Sequence, residues 1–346
     1  MRVLVNGMIA GMKDREYIDE TLALLAGKGI ETAHFNLIDQ LESTGNKTLS
    51  RLLGTTDYLF QVLRDREYAK IGFELQRQQA ANAIIRVPAT IEWNHVNFKL
   101  KDHKEIARFI TPDVIVTLID AEWVIRDNLR NMVPKDAFQK SIQGQDFSVR
   151  EILSWMNEEV SIGEDWARHF GVRHFVIPIA QGAESLAKLV EHRDVPSFYV
   201  SYSMTHSTPE VRKEIDKTIC RLHEYGLVID PQAIEIGSIY ESERDRQATY
   251  AYTVHRDLHW FVGKVDSVVA IHPYTDVPPL STGMMDELGH ARDYLKRRYM
   301  VFPSHKQSPF TTDSYIDKGR LVGSPEELFL VMEDEGLRKL SERRRI

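Results

Sequence analysis

The sequence predicts an α/β protein of two three-layer domains, each built on a parallel sheet covered by helices. The first observation is its length of 346 residues, which exceeds one typical domain and suits two. The second is that short apolar strands alternate with amphipathic helices along the chain. The third is a polar, proline-containing stretch at 190–197 that separates two complete runs of this alternation. The predicted domains are therefore 1–193 and 194–346.

In the first half, short apolar runs predict strands and longer amphipathic runs predict helices. The predicted strands cover 2–7, 32–38, 83–93, 113–120 and 173–180. The predicted helices cover 14–29, 67–83 and 148–171. Strands and helices that alternate at this spacing predict a parallel sheet with both faces covered.

The second half repeats the same pattern over about 150 residues, in the size range of one domain. Its predicted strands cover 197–203, 227–231, 266–273 and 299–304. Its predicted helices cover 207–226, 243–265, 285–298 and 324–336. This arrangement predicts a doubly wound, flavodoxin- or Rossmann-like sheet.

Composition and charge exclude several classes of protein. Hydrophobic residues make up 42% of the chain and charged residues 27%, as in soluble globular proteins. The net charge of −7 predicts no nucleic-acid partner, because such a partner requires a basic surface. The first residues lack a signal-peptide layout, and no apolar run is long enough to span a membrane. The sequence therefore predicts a cytoplasmic protein without a membrane partner.

Cysteines and histidines predict neither a metal site nor a cofactor. Cys220 is the only cysteine, which excludes an intrachain disulfide and a cysteine metal cluster. Its position in an apolar helical pattern predicts a buried thiol. The five histidines from His255 to His305 show no ligand spacing on one face, and we interpret most of them as surface residues or as residues behind those that contact a ligand.

The segment GMIAGMKD at 7–14 has the length and position of a phosphate-binding loop between a strand and a helix. Such a loop needs glycines for close backbone approach, a lysine for the phosphates and a hydroxyl for magnesium. Gly7 and Lys13 fit this pattern. Met12 replaces the second glycine, and Asp14 replaces the hydroxyl residue. The pattern predicts a degenerate loop that has lost phosphoryl transfer.

With this loop and the segment TPDVIVTLIDAEWVIRDNLRN, the first half resembles the adenylate-kinase-like nucleoside monophosphate kinases over about residues 1–190. The resemblance implies a P-loop fold that binds a nucleotide. Arg126 and Arg130 are the nearest candidates for the arginines of the lid in such kinases. We expect this half to bind a nucleotide without catalysis or to act as a scaffold.

In the second half, three segments near the carboxyl ends of predicted strands carry chemically useful side chains. They are SYSMTHS at 201–207, HRDLHWF at 255–261 and IHPYTDVPPLSTG at 271–283. Ligands of open α/β sheets bind at these strand ends. The first and last segments are rich in hydroxyls and precede helices, which suits a phosphate or a sugar hydroxyl.

A carboxylate pair follows the last of these loops. The pattern places Asp286 and Glu287 in the first turn of a helix, where acidic residues complement the helix dipole. We interpret Asp286 in this way. Glu287 belongs to the run S-x-G-x-x-x-E-L-G-x-A that extends from Ser281 to Ala291, and this spacing favours a catalytic role.

With Asp257 in RDLHWF, the VVA strand that follows it and Tyr199 in FYVSYS, this run resembles the nucleoside 2-deoxyribosyltransferase superfamily. It is most similar to the 2′-deoxynucleoside 5′-monophosphate N-glycosidase branch, over about residues 196–335. The resemblance implies that Glu287 is the nucleophile on C1′ of the sugar. It also implies that Asp257 handles protons and that Tyr199 lies near the sugar.

The same resemblance implies a set of substrate-binding residues. Ser281 stands where the transferases have an aspartate that contacts the 5′-hydroxyl, so an uncharged residue there favours a 5′-monophosphate. The remaining implied substrate ligands are Ser201, Ser203, Thr205, Thr282 and Gly283. Thr205 replaces a basic residue of the branch, and His206 is a candidate for the missing charge. The family completes its sites with a neighbouring subunit, so we expect a homo-oligomer in which Thr311 or Thr312 reaches the partner's ligand.

The expected activity is hydrolysis or transfer at the N-glycosidic bond of a nucleoside or nucleoside 5′-monophosphate, with that small molecule as the partner. An NAD glycohydrolase is a second enzymatic hypothesis, because related folds use one glutamate similarly. A nucleotide-sensing protein that binds without turnover is the third hypothesis.

Overall fold

The computed structural model describes residues 1–45, 48–78, 81–94, 96–100, 102–134, 137–145, 147–203, 208–234, 242–272, 280–303, 315–317 and 319–343. The chain forms two structural units. The first comprises Met1–Val190 and Gly237–Tyr252, and the second comprises Glu191–Ile236 and Thr253–Ile346. Within the described ranges, no helix is long and apolar enough to cross a membrane.

The first unit is built on a five-stranded parallel sheet of order β2-β3-β1-β6-β7. Its strands are β1 (Arg2–Asn6), β2 (Thr32–Asn36), β3 (Asn82–Arg86), β6 (Val114–Ile119) and β7 (Arg173–Pro178). A separate antiparallel pair consists of β4 (Thr90–Trp93) and β5 (Val96–Lys99). The helices are α1 (Asp14–Gly27), α2 (Leu37–Gly45), α3 (Leu49–Leu53), α4 (Asp57–Gln78), α5 (His103–Phe109), α6 (Glu122–Asn131), α7 (Ala137–Gln143), α8 (Val149–Phe170) and α9 (Glu184–Glu191).

Helix α8 fixes the carboxyl end of β1 through one buried carboxylate. A capping box between Ser148 and Glu151 begins the helix. Further along it, the carboxylate of Glu159 accepts hydrogen bonds from Asn6 Nδ2 at 2.9 Å and from the backbone N–H of Thr90 at 2.7 Å. A buried carboxylate is tolerated where donors surround it, so this network is structural. It holds the end of β1 from which the 7–13 loop departs.

The second unit is built on a five-stranded parallel sheet of order β12-β11-β10-β8-β9. Its strands are β8 (Ser197–Tyr202), β9 (Leu227–Ile229), β10 (Ser267–Ile271), β11 (Arg297–Val301) and β12 (Leu321–Val322). Its helical segments are α10 (Pro209–Leu222), the end of α11 (Glu243–His255), a π-helical segment (Arg256–Val262), α12 (Thr282–Asp293) and α13 (Pro325–Asp334). Numbered within the unit, the strand order is 2-1-3-4-5, a common doubly wound order whose switch point lies between β8 and β10.

Strand β8 divides its side chains between two environments, because successive residues point to opposite faces of a sheet. Phe198, Val200 and Tyr202 pack into the hydrophobic core that residues of α10 and α13 share. Tyr199 points to the other face, where its ring stacks on Phe261 of the π-helical segment with centroids 6.2 Å apart. Ser201 lies on the same face as Tyr199 and contacts α12. This face carries the candidate site.

The parallel α/β class predicted from the alternation is confirmed. Several local predictions are wrong. Strand β2 ends at Asn36 instead of 38, and α4 begins at Asp57 instead of 67. The helix predicted at 243–265 changes to π geometry at Arg256. Cys220 is exposed, because the inward positions of α10 are occupied by other residues, Ile215 among them.

Candidate active site

Glu287 lies on α12 and reaches the carboxyl end of β8. The hydroxyl of Tyr199 donates a hydrogen bond to its Oε1 at 2.7 Å, and the hydroxyl of Ser201 donates to its Oε2. Both donors are fully buried, whereas Glu287 itself is half-buried. Two hydroxyls on one strand therefore fix both carboxylate oxygens at the switch point of the sheet and stabilise the anion.

Helix α12 begins earlier than the sequence predicted, and this changes the environment of the carboxylate pair. Ser281 is its N-cap, and its hydroxyl accepts a hydrogen bond from the N–H of Met284 at 3.3 Å. Asp286 is therefore the fifth residue of the helix, and the first turn contains no acidic residue. The prediction that Asp286 complements the helix dipole at the start is wrong. Asp286 is exposed, while Glu287 contacts β8.

The start of α12 presents backbone donors beside the loop that precedes it. Thr282 and Gly283, the first two residues of the helix, are exposed. The N–H groups of a first helical turn have no partner inside the helix and favour anions. Ser281 caps this turn, so its side chain has a structural partner in addition to the substrate role implied by the resemblance.

Asp257 lies in the π-helical segment and is buried. Its Oδ1 is 2.9 Å from Nε of Arg256, which is 3% exposed. The guanidinium carbon of Arg256 lies 5.7 Å from the centroid of Phe261, the ring on which Tyr199 stacks. Sequence reasoning did not single out Arg256. The signal was the cation directly before the motif aspartate.

The remaining substrate residues fall into two groups. Ser203 is buried and lies just beyond the end of β8, two residues after Ser201. Thr205, with His206, lies outside the described residues, as do Thr311 and Thr312. Ser201 thus donates a hydrogen bond to Glu287, and Ser203 lies at the same end of β8.

The histidines of this unit are more clustered than the sequence predicted. The rings of His255 and His259 have centroids 4.8 Å apart, and those of His259 and His290 are also 4.8 Å apart. Burial, followed by the charge of His259, lowers the pKa of both His255 and His290. Among the residues that the structure describes, no group of three or more His, Cys, Asp or Glu side chains is arranged to hold a metal. These three rings meet because α12 packs on the π-helical segment, and the expectation that the histidines lack ligand spacing stays a prediction.

In the first unit, the candidate phosphate loop contains Gly11 in a left-handed conformation and is followed by a residue in a buried ion pair. Gly11 has a φ of +78°, and a Cβ there would lie 2.8 Å from Ile125 Cγ2 and Leu129 Cγ. Asp14 is buried and forms an ion pair with Arg86 at the end of β3. Where a phosphate loop places its magnesium-binding hydroxyl, this chain therefore has a carboxylate held by a guanidinium.

The other polar residues near this loop differ in exposure. Lys13 is exposed at the start of α1, with Gly7 at the opposite end of the loop. Asp120 follows β6; burial raises its pKa to about 6, against a hydrogen bond from Ala121 N–H and the charge of Lys13. The two lid candidates lie on α6, where Arg126 is buried and Arg130 is exposed.

No family model matches the chain, and no curated protein matches it. A shikimate kinase structure from Aquifex aeolicus vf5 is similar with a TM-score of 0.35 and 10% identity, covering 55% of this chain and 94% of its own. A shikimate kinase structure from Bacteroides thetaiotaomicron has a TM-score of 0.35 and 13% identity, covering 55% of this chain and 95% of its own.

Proposed function

We propose that the second unit is a nucleoside deoxyribosyltransferase-like or N-glycosidase-like domain that acts at the N-glycosidic bond of a nucleoside or nucleoside 5′-monophosphate. The observation that carries this proposal is the contact of Glu287 with Tyr199 and Ser201. The contact lies where doubly wound sheets bind ligands. The proposal also rests on the motif around Glu287 and Asp257, which resembles that of this superfamily.

The proposed reaction has two steps with Glu287 as the nucleophile. Its carboxylate oxygen bonds to C1′ of the sugar while the bond from C1′ to the base nitrogen breaks, and the base takes up a proton as it leaves. In the second step an acceptor, either water or another base, attacks C1′ and breaks the ester, which restores the carboxylate. Positive charge that develops on the sugar ring is stabilised by the carboxylate.

Each residue around Glu287 has a proposed task. Tyr199 and Ser201 hold the carboxylate in one orientation, which reduces the reorganisation needed for attack. Asp257 handles protons. Ser281 and the first turn of α12, with Ser203 at the end of β8, would hold a 5′-phosphate through neutral donors.

For the first unit we propose nucleotide binding without phosphoryl transfer. The buried pair of Asp14 and Arg86 supports this proposal, because it replaces the magnesium-binding hydroxyl with a neutralised carboxylate. Lys13 remains exposed beside the loop, where it can contact a phosphate. The homo-oligomer expected from the resemblance stays a prediction, and a monomer in light scattering at micromolar concentration would contradict it.

The experiment that tests the function is incubation of the full chain with a panel of nucleosides, their 5′-monophosphates and NAD. Free base is measured by chromatography, with the Glu287→Gln variant as the control. We expect base release from at least one nucleoside or monophosphate, abolished in the variant. Release of nicotinamide alone would support the NAD glycohydrolase instead. Binding of nucleotides without release of any base would support a sensing protein.

A further inference from the structure

Arg256 and Asp257 form an unusual pair of neighbours. Successive side chains of a regular α-helix point about 100° apart. Here the two residues belong to a π-helical segment, and Arg256 Nε lies 2.9 Å from Asp257 Oδ1. π-helical turns are rare and often occur at functional sites.

Both members of this pair are buried, so solvent screens their attraction little. Arg256 is 3% exposed and Asp257 is 8% exposed. A buried charge is costly unless it is paired, and removal of one partner weakens the compensation of the other. Arg256 therefore favours an ionised Asp257 and restricts the directions in which its carboxylate can point.

The pair is also connected to the proposed nucleophile. The guanidinium of Arg256 lies over the ring of Phe261 at 5.7 Å, and Phe261 stacks on Tyr199. Tyr199 in turn donates to Glu287. The same arginine thus contacts the motif aspartate and, through one aromatic ring, the tyrosine that orients the glutamate.

We propose that Arg256 is a positioning residue that holds Asp257 as an ionised proton acceptor for the second step of the reaction. This inference rests on the proposed function and deepens it. The acceptor water attacks C1′ and its proton passes to Asp257, while the ester bond to Glu287 breaks and Glu287 leaves as a carboxylate. The proton that the leaving base takes up in the first step comes from water or another donor, because Asp257 is paired with Arg256.

The test compares Arg256→Met, Arg256→Lys and the matched control Arg246→Met. Arg246 also has an acidic partner, Glu243, but that pair is exposed. We expect Arg256→Met to lower the steady-state rate of base release at least tenfold while the first-turnover burst changes less. The acidic limb of its pH–rate profile should move to higher pH, because the carboxylate has lost a cation. Arg256→Lys should recover part of both effects, since it keeps the charge without the planar guanidinium. Arg246→Met should leave both unchanged.

A second measurement does not depend on activity. The carboxyl carbon of Asp257 is titrated by carbon-13 NMR in the wild type, Arg256→Met and Arg256→Lys. The titratable groups on the segment and on the elements packed against it also include Tyr199, His255, His259, Asp286, Glu287, His290 and Asp293. Assignment of the Asp257 signal therefore needs Asp257→Asn as a reference. We expect the midpoint to rise in Arg256→Met and to return towards the wild-type value in Arg256→Lys.

The outcomes separate this proposal from the proposed function. If the wild type releases no base, the proposed function fails. An Asp257 midpoint that is unchanged in both Arg256→Lys and Arg256→Met would then also overturn the inference that Arg256 keeps Asp257 ionised. If the wild type is active, an unshifted pH profile in folded Arg256→Met overturns the role of Arg256 alone. Equal behaviour of the Lys and Met variants would also overturn it. If Arg256→Met does not fold, Arg256→Lys carries the test, and a wild-type burst-to-steady-state ratio in that variant would contradict the need for a guanidinium.

Discussion

The carboxyl ends of the two parallel sheets hold acidic residues in opposite electrostatic settings. In the first unit Asp14 is buried against the guanidinium of Arg86. In the second unit Glu287 is half-buried and accepts hydrogen bonds from the neutral hydroxyls of Tyr199 and Ser201. A guanidinium neutralises a carboxylate, whereas hydroxyls orient it and leave its charge in place. The acidic residues of the two units therefore differ in their surroundings, with a cation beside Asp14 and hydroxyl donors to Glu287.

The second unit contains both kinds of carboxylate. Asp257 resembles Asp14, because a neighbouring arginine holds it in a buried ion pair. Glu287 has hydroxyl donors instead. We propose proton acceptance for the ionised Asp257 and nucleophilic attack for Glu287.

The largest expected effect comes from removal of the negative charge of Glu287. Glu287→Gln should lower base release by at least about a thousandfold with the fold intact, because an amide can neither attack C1′ nor offset positive charge. Asp286→Asn is the matched control, since Asp286 is the exposed neighbour on the same helix. Its rate should stay within about tenfold of the wild type. Rates and melting curves of both variants check this prediction; similar losses would remove Glu287 from the mechanism.

The two hydroxyl donors should each contribute a smaller amount. Tyr199→Phe and Ser201→Ala each remove one hydrogen bond to the Glu287 carboxylate. A hydrogen bond to a charged group contributes about 1.5–3 kcal/mol, so each variant should lose roughly 10- to 150-fold in kcat/KM. Steady-state kinetics measures this, and Tyr202→Phe, which alters a tyrosine on the opposite face of β8, provides the control. Wild-type rates in both donor variants would mean that the contact does not serve catalysis.

In the first unit, burial of the Asp120 carboxylate should cost stability. The folded pKa of Asp120, about 6, lies above its ordinary value of 3.8. The folded chain therefore binds more protons than the unfolded chain between these values, and the free energy of unfolding falls as pH rises through this window. Asp120→Asn keeps an oxygen for the N–H of Ala121 and removes the charge. At pH 7 it should raise the free energy of unfolding by about 1–3 kcal/mol.

Urea unfolding between pH 4 and pH 7 measures this effect. The difference between wild type and variant should be small at pH 4 and grow towards pH 7. A constant difference across this range would mean that Asp120 titrates normally.

Activity on phosphorylated substrates should depend on the charge at the start of α12. Ser281→Asp preserves the helix N-cap, because aspartate caps as well as serine does. The added charge should repel a 5′-phosphate at a cost on the order of 1–4 kcal/mol. Activity on monophosphates should fall tenfold or more while activity on nucleosides is spared. Equal losses on both substrates would place the phosphate elsewhere.

The smallest expected effect is in the first unit, where the loop should not contribute to glycosidic chemistry. Lys13→Ala should leave base release within about threefold of the wild type. The wild type should also transfer no measurable phosphoryl group from ATP to any nucleoside monophosphate, because Asp14 replaces the hydroxyl that binds magnesium. A coupled kinase assay checks this, and clear turnover would contradict the comparison between the two units.

The sequence predicted those features that depend on short-range patterns. The alternation of strands and helices predicted the parallel class, and α8, predicted at 148–171, runs over Val149–Phe170. These two inferences use periodicity and helix capping, which are local properties. The resemblance carried by the motifs of Glu287 and Tyr199 implied that both residues lie near the sugar, and their side chains are in contact.

Other features depend on contacts that no local pattern contains. Arg86 pairs with Asp14 across 72 positions of the chain. The sequence therefore showed only that Asp14 stands in place of the expected hydroxyl residue, and not which residue pairs with it. His290 approaches His259 because α12 packs on the π-helical segment. The start of α12 was missed because the residues up to Gly283 were assigned to the loop and the helix was predicted from Met285, whereas Ser281 already provides the cap.

The most direct measurement for the central claim is covalent trapping of the nucleophile. A 5′-monophosphate whose sugar carries fluorine at C2′ slows hydrolysis of the glycosyl ester, because fluorine destabilises positive charge on the ring. After incubation with the full chain, digestion and mass spectrometry locate any added sugar phosphate. We expect the adduct on Glu287 in the wild type and no adduct in Glu287→Gln. Labelling of Asp257 or another residue, or equal labelling of the Glu287→Gln variant, would contradict the assignment of Glu287 as the nucleophile.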